Sequence, residues 1–361
     1  MQTETRPTLT AVTEFSRKAL KIGGLSIVAF LFLRFAFNSF VAYWKATHPP
    51  DPAPPTVGFG VLPAPIFSEQ DPNKKPKQYS LETKNGRLPE MVDQVKVFLM
   101  PKNAISLFDH ENALQIAAKY DFVFEPQIVD ANTYRWQKTT PLLTTFELDL
   151  QEHVFTYQTD FMNRPDLLLS KQNLTRFDAV QQTRSFLSKA GLLSKDVATS
   201  SGQITYLKAV GSELVTAVTP SDADFVQVDI QRLPIDNTYP LYTQKGEEGI
   251  IHAILGSVAG LDNSVVRMRY SYYPIDYDQI HTYPLRSVKS AWDLLQSGEG
   301  YIVSNQNQQQ AVIRDVTLAY YDDINGQAYL QPIYVFAGDD NFLGFVPAID
   351  PKYLQAAVSQ N

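Results

Sequence analysis

IGGLSIVAFLFLRFAFNSFVAYW, residues 22–44, decides how the rest of the chain must be read; only Ser26, Arg34, Asn38 and Ser39 in it are clearly polar. A helix rises about 1.5 Å per residue, so this run matches a hydrocarbon layer roughly 30 Å thick. Tyr43 and Trp44 close it as interface anchors, where amphipathic rings favour the membrane–water boundary, and Lys45 follows. A cleaved signal peptide has an apolar region of about 7–15 residues before small residues. This run is longer, carries an arginine and ends in aromatic rings. The stretch therefore predicts an uncleaved transmembrane helix with the lipid bilayer as its first partner. Arg34 and Asn38 lie one turn apart and form a polar stripe on an otherwise apolar helix. Polar groups in lipid turn toward neighbours that supply acceptors, so these two residues are the candidate contact face toward a second membrane helix.

Arg6, Arg17, Lys18 and Lys21 precede the run, and Lys45 alone follows it closely. That asymmetry predicts a single-pass protein of a bacterial cytoplasmic membrane, N-terminus inside and C-terminal bulk outside. Net charge is −7, and residues 1–45 carry +4, which leaves about −11 on the remainder. An acidic exterior argues against nucleic acid as a partner. The chain has no cysteine, which removes disulfides, thiol catalysis, thiolate metal sites and lipoprotein attachment together.

Working outward, residues 1–21 read as a cytoplasmic tail, helical from about Glu14. Residues 45–77 contain seven prolines between Pro49 and Pro65. Proline fixes φ and lacks an N–H, so the stretch reads as an extended, semi-rigid extracytoplasmic linker. From residue 78 strands alternate with occasional helices. Phe146, Leu148 and Leu150 alternate with Glu147 and Asp149, the period of a sheet with one wet face, and Glu152 is read with that face. Asp109 reads as the cap of one short helix that runs to about Lys119. Asp178 reads as the N-cap of a second, whose stripe is Val180, Thr183, Phe186, Leu187 and Ala190 before Gly191. Ser287 precedes a third, with Val288, Ala291, Trp292 and Leu295 before Gly298. Asn325-Gly326 accepts the positive φ of a turn, so the strands on either side should pair antiparallel. The expectation is an α+β fold: the transmembrane helix, then helix-plus-antiparallel-sheet modules over 78–175, 176–284 and 285–361, the last a third module or half of a duplicated domain.

SVKSAWDLLQSG (287–298), DVTLAYYDD (315–323) and AYLQPIYVFAGDD (328–340) resemble the carboxyl-terminal module of the YycH/YycI proteins. More broadly they are similar to PepSY-type helix-plus-sheet domains. The resemblance implies one N-terminal anchor with α+β modules outside the membrane. No functional residue is carried over, because the matching positions read as core.

The chemistry-bearing residues are dispersed. His48, His110, His153, His252 and His281 form no metal motif, and His252 in an apolar strand reads as structural. Asp276, Asp278 and His281 supply mixed donors but read as a solvated loop. ILGSVAG lacks the spacing of a nucleophile elbow, and no phosphate-cradling or dinucleotide glycine pattern occurs, so no cofactor is expected. Carboxylate pairs of a glycosidase depend on the fold and stay open. Asn173-Leu-Thr175 matches a glycosylation acceptor. Tyr270 and Tyr272, with Tyr320 and Tyr321, could line adjacent strands as a ligand platform, though sheet packing explains them as well. The functional expectation is a non-enzymatic interaction, scaffold or regulatory subunit with a membrane or envelope protein partner, homo- and hetero-oligomers both open. A PepSY-like modulator of an extracellular peptidase and a cell-wall hydrolase are the alternatives.

Overall fold

Residues 9–47, 53–104, 106–169, 174–261 and 264–355 are described by a computed structural model. The chain divides into Met1–Pro54 and Pro55–Asn361. The first unit is built on α1 (Leu9–Thr47), which starts five residues before the expected Glu14. Within it Leu20–Lys45 is long and apolar enough to cross a membrane by length and composition. Phe30, Phe32, Phe35 and Phe37 stand exposed on it, and Arg34 and Asn38 are exposed one turn apart.

In the second unit β1 (Gln78–Leu81) and β2 (Gln94–Leu99) precede α2 (Asp109–Lys119). Four strands follow: β3 (Gln127–Ile128), β4 (Thr133–Lys138), β5 (Thr144–Asp149) and β6 (Phe155–Thr159). After α3 (Arg176–Lys189) and α4 (Lys195–Ala198) come β7 (Gln203–Val210), β8 (Glu213–Thr216), β9 (Phe225–Ile230) and β10 (Leu241–Tyr242). β11 (Ile251–Leu255), β12 (Val265–Tyr270) and β13 (Asp276–Pro284) lead to α5 (Val288–Ser297). The last strands are β14 (Tyr301–Ser304), β15 (Gln310–Tyr321), β16 (Tyr329–Gly338) and β17 (Leu343–Pro347).

These strands form two sheets. Nine run in the order β3-β4-β5-β6-β12-β11-β9-β7-β8. The other sheet follows β1-β15-β16-β17-β14, with β10 parallel to the end of β15 and β2 joining β13 to β16. Pairing crosses the sequence-based boundaries: β6 meets β12, and β1 lies parallel to β15. The strands after α3 follow a meander, β7-β9-β11-β12, whereas after α5 the first strand, β14, sits beyond the last. The class is α+β, as the alternating strand patterns and capped helices indicate.

Alternation along the nine-stranded sheet gives each face its role. Phe146, Phe155, Tyr157, Val228, Ala253 and Met268 point to one side and pack under α2 and α3 with Ala117, Phe186 and Leu187. α5 covers the second sheet with Ala291, Trp292 and Leu295 against Val316, Tyr334 and Phe336. Its caps are those expected: the Ser287 hydroxyl accepts from the Ser290 amide, and Gly298 takes φ +83°. Two other caps are corrected: Phe108 holds the N-cap position of α2, with Asp109 already in its first turn, and at α3 Thr175 is the N-cap while Asp178 sits three residues later, closing a reciprocal capping box. Asp276–His281 is also not a loop: it is the bulged start of β13, where Asp276 Oδ1 accepts from the Asp278 and Gln279 amides.

The largest departure concerns the proline-rich stretch. From Pro55 it is a strap bound to the second sheet instead of a free spacer. The Val57 amide donates to the Thr282 carbonyl at 3.0 Å, and Leu62 exchanges bonds with Tyr353 and Gln355 at 2.8 Å each. Leu62 is fully buried, and Phe67 stacks on Tyr301 with centroids 5.0 Å apart. Farther along, Lys75 Nζ donates to the carbonyl of Gly298 at the C-terminus of α5. Prolines lack an N–H but keep their carbonyl acceptors, their neighbours Val57 and Leu62 keep N–H donors, and Val57, Phe59, Leu62 and Phe67 supply the apolar contacts that a count of prolines overlooks.

Candidate functional site

The strap roofs a cavity of about 440 Å³ between the two sheets. One wall comes from the β5–β6 turn, with Asp149 and Glu152, and from Tyr273 just after β12. The facing wall is the β15–β16 turn, with Asp323 and Asn325-Gly326, and Gln331 in β16. Met100, Pro101 and Lys102, after β2, close one end, and Pro63, Pro65 and Ile66 belong to the strap.

Local bonds hold each polar group in place. Asp149 Oδ1 accepts from the amides of Gln151 (3.0 Å) and Glu152 (2.7 Å), the turn that carries Glu152. Asp323 Oδ1 accepts from the Asn325 amide at 2.9 Å. Gly326 has φ +83°, and a Cβ there would stand 2.8 Å from the Tyr273 ring, so the turn needs glycine both for its backbone and for the ring beside it. Gln331 is 4% exposed; its Nε2 donates to the Pro63 carbonyl at 2.8 Å while Oε1 is buried without a partner. Glu152 Oε2 is likewise buried and unpartnered.

Desolvation dominates the electrostatics. Burial pushes the Asp323 carboxyl up to about 6, with nearby Asp322 adding to it and the Asn325 amide opposing. Burial also raises Glu152, reinforced by Asp149 and opposed by the Asn103 backbone and Lys102. The Tyr273 hydroxyl is pushed up to about 12 by burial, then by Asp149, Glu152 and Asp323, so the three carboxylates bear on one ring. Such a cavity can accept hydrogen bonds from a cation, and a carboxyl near 6 can exchange a proton close to neutral pH.

A charged clamp beside the cavity fixes both walls. Arg232 follows β9 and its side chain is wholly buried; Nε donates to Asp322 and Nη1 to Asp196, while Nη2 reaches the carbonyl of Tyr273. Its guanidinium lies 4.2 Å from the centre of the Tyr272 ring. Burial alone would lower its pKa, but Asp322 and Asp196 outweigh that and the net direction is upward. Because Asp322 adjoins Asp323 and Tyr273 lines the cavity, the clamp ties the two walls to each other.

The sequence-based candidates fall elsewhere. Tyr270, Tyr320 and Tyr321 are buried, their hydroxyls donating to the carbonyls of Leu192, Lys96 and Ile66. Tyr272 is half-buried between Arg232 and Asp196. No open tyrosine platform forms, since each ring is committed to packing and each hydroxyl to an internal acceptor. Tyr43 and Trp44 are exposed near the end of α1. His252 bonds Asp229 at 2.9 Å, His281 bonds Thr56 at 3.1 Å and His110 bonds Tyr134 at 2.9 Å. Among the described residues no three metal-ligating side chains come together. His48 and Asn173 of the glycosylation match lie outside the described residues. Sequence reasoning placed Asp149 and Glu152 on a wet strand face and missed Asp323, Tyr273 and Gln331. Two adjacent aspartates directly after an apolar strand, at 322–323, were the available signal.

A larger concavity of about 940 Å³ lies beside β1, but its Arg314 is already paired with Asp339 and Glu82. No protein-family model and no curated protein matches the chain. Among solved structures it is similar to an uncharacterized protein from Eubacterium rectale ATCC 33656, at 10% identity over 71% of this chain and 82% of that one, TM-score 0.39. It is also similar to the Bacillus megaterium YpeB C-terminal domain, at 12% identity over 70% of this chain and 96% of that one, TM-score 0.27.

Proposed function

We propose that the chain is a membrane-anchored envelope protein of a bacterium that acts without catalysis, as an interaction, scaffold or regulatory subunit. The observation that carries this reading is α1, whose Leu20–Lys45 segment is apolar and exposed and is followed, from Pro55, by a compact α+β body. Arg6, Arg17, Lys18 and Lys21 before the span, against Lys45 after it, favour an N-in orientation with the body outside. The test is purification of the intact chain from membranes in mild detergent. A stoichiometric membrane or envelope protein is the expected companion; a peptidase would move the reading to a peptidase modulator, and the absence of any companion would overturn it.

The carboxylates of the cavity favour a second reading. Asp323, with its raised pKa, and Asp149 across the cavity are the kind of pair a cell-wall hydrolase uses as acid and base. Release of soluble fragments from peptidoglycan by the purified chain, abolished by Asp323→Asn, would establish that reading in place of the first.

A further inference from the structure

We propose that one face of α1, formed by Ile27, Leu31, Arg34, Asn38 and Val41, docks a membrane helix of a different protein that carries a carboxylate near the middle of the bilayer. This rests on the membrane-anchored reading and gives the companion expected there a chemistry.

Depth makes Arg34 the decisive residue. The apolar segment of α1 is Leu20–Lys45, 26 residues long. Along the axis Arg34 stands about 21 Å from Leu20 and about 17 Å from Lys45, within about 2 Å of the middle. A snorkelling side chain covers only part of that distance. Arg34 and Asn38 are both exposed on the helix, and residues 20–45 include no aspartate or glutamate. The segment therefore holds no counter-charge for its own guanidinium. Arginine brings a charge and five N–H donors, and acyl chains accept none of them. The complement is a carboxylate on a neighbouring helix. A second copy in the same orientation sets one Arg34 beside another, so the companion is a different protein.

The residues around Arg34 leave a strip for that helix. Positions 27, 31, 34, 38 and 41 recur at alternating steps of four and three, the spacing that keeps one seam against a partner. Ile27, Leu31 and Val41 are its apolar members, whereas Phe30, Phe32, Phe35, Phe37 and Phe40 all lie off it. The large rings thus stand beside and behind the strip on which the arginine sits. Asn38, one turn on, adds a donor and an acceptor that fix the register of the pair.

The experiment uses the full chain, dye-labelled at its N-terminus and reconstituted in phosphatidylcholine vesicles. The probes are acceptor-labelled single-span leucine–alanine peptides with Asp, Asn or Leu at the central position, and energy transfer reads association. The Asp peptide should associate at least about tenfold more tightly than the Leu peptide, and more tightly than the Asn peptide. Arg34→Leu should erase that preference and Asn38→Leu should weaken it, while Phe32→Leu, off the seam, should leave it unchanged. Equal association of the Asp and Leu peptides, or a preference that survives Arg34→Leu, overturns the proposal and leaves an arginine solvated by lipid alone. An Asn peptide that binds as well as the Asp peptide, or tight self-association of the chain, overturns it too. A chain that floats with the vesicles yet shows no preference loses this inference only; a chain that does not float loses the anchor reading with it.

Discussion

Arg232 Nε and Asp322 Oδ2 lie 2.7 Å apart with both side chains fully excluded from solvent, and they join a residue at the end of β9 to one at the end of β15. The two sheets are thus fastened by a buried ion pair. Breaking such a pair strands the remaining charge, so Arg232→Met should cost about 3–5 kcal/mol. Arg232→Met with Asp322→Leu should recover part of that loss, since the surviving carboxylate, Asp196, is partly exposed. Urea midpoints of the three proteins decide it; a double variant no better than the single would deny the stranded-charge account.

Asp323 predicts a pH dependence of the opposite sense to an ordinary salt-bridged carboxylate. Its folded value of about 6 lies above the usual 3.8, so between these the folded chain holds more protons than the unfolded. Stability contributed by this group is therefore present at low pH and lost as pH rises through about 4 to 6. Asp323→Asn cannot ionise and should be more stable than the parent by on the order of 1–2 kcal/mol above pH 6.5, with the difference gone near pH 4. Melting curves at the two pH values test this, and a gain that persists at pH 4 would trace to something other than the charge.

Trp292 is 8% exposed and packs on Phe336 with centroids 5.9 Å apart. Trp292→Ala should cost about 3–5 kcal/mol in denaturant unfolding. A shift of a few tenths would remove α5 from the core.

Leu62 separates the docked strap from a free spacer. It is wholly buried, so Leu62→Ala should cost about 2–5 kcal/mol and open residues 55–67 to proteolysis. A spacer would show neither effect.

On the proposed reading of α1 as a membrane span, Arg34→Leu removes a residue whose insertion costs roughly 2.5–3.5 kcal/mol near mid-bilayer. Glycosylation mapping should show more efficient insertion, and recovery of membrane partners should fall if Arg34 and Asn38 face another helix. Unchanged recovery would leave Arg34 a tolerated defect in the span.

What the sequence made legible is local. The long apolar helix, the stripe and caps of α5 and the turn at Asn325-Gly326 each follow from residues close together in the chain. The strap was opaque because its partners, Thr282, Gln331 and Tyr353, lie more than 200 residues away and its prolines resemble those of any linker. The cavity was opaque for a related reason. Glu152 and Asp323 meet only through the packing of two sheets, and a carboxylate in a turn looks the same whether water or a tyrosine ring stands beside it. The tyrosines misled in the other direction, since clustering along a strand does not say which face is covered.

The strap has a temporal consequence. Leu62 is bridged to Leu354, and β1 pairs with β15 across more than 230 residues. At about 5–20 residues per second, a growing chain exposes Leu62 roughly 15–60 s before its partner exists. Strap, β1 and β2 must wait in an unpaired state while the nine-stranded sheet, whose strand pairings are all made between residues 127 and 270, is already able to form. Assembly is therefore ordered from the middle outward, and the last act of folding is the one that seats the segment that follows the apolar helix in the chain.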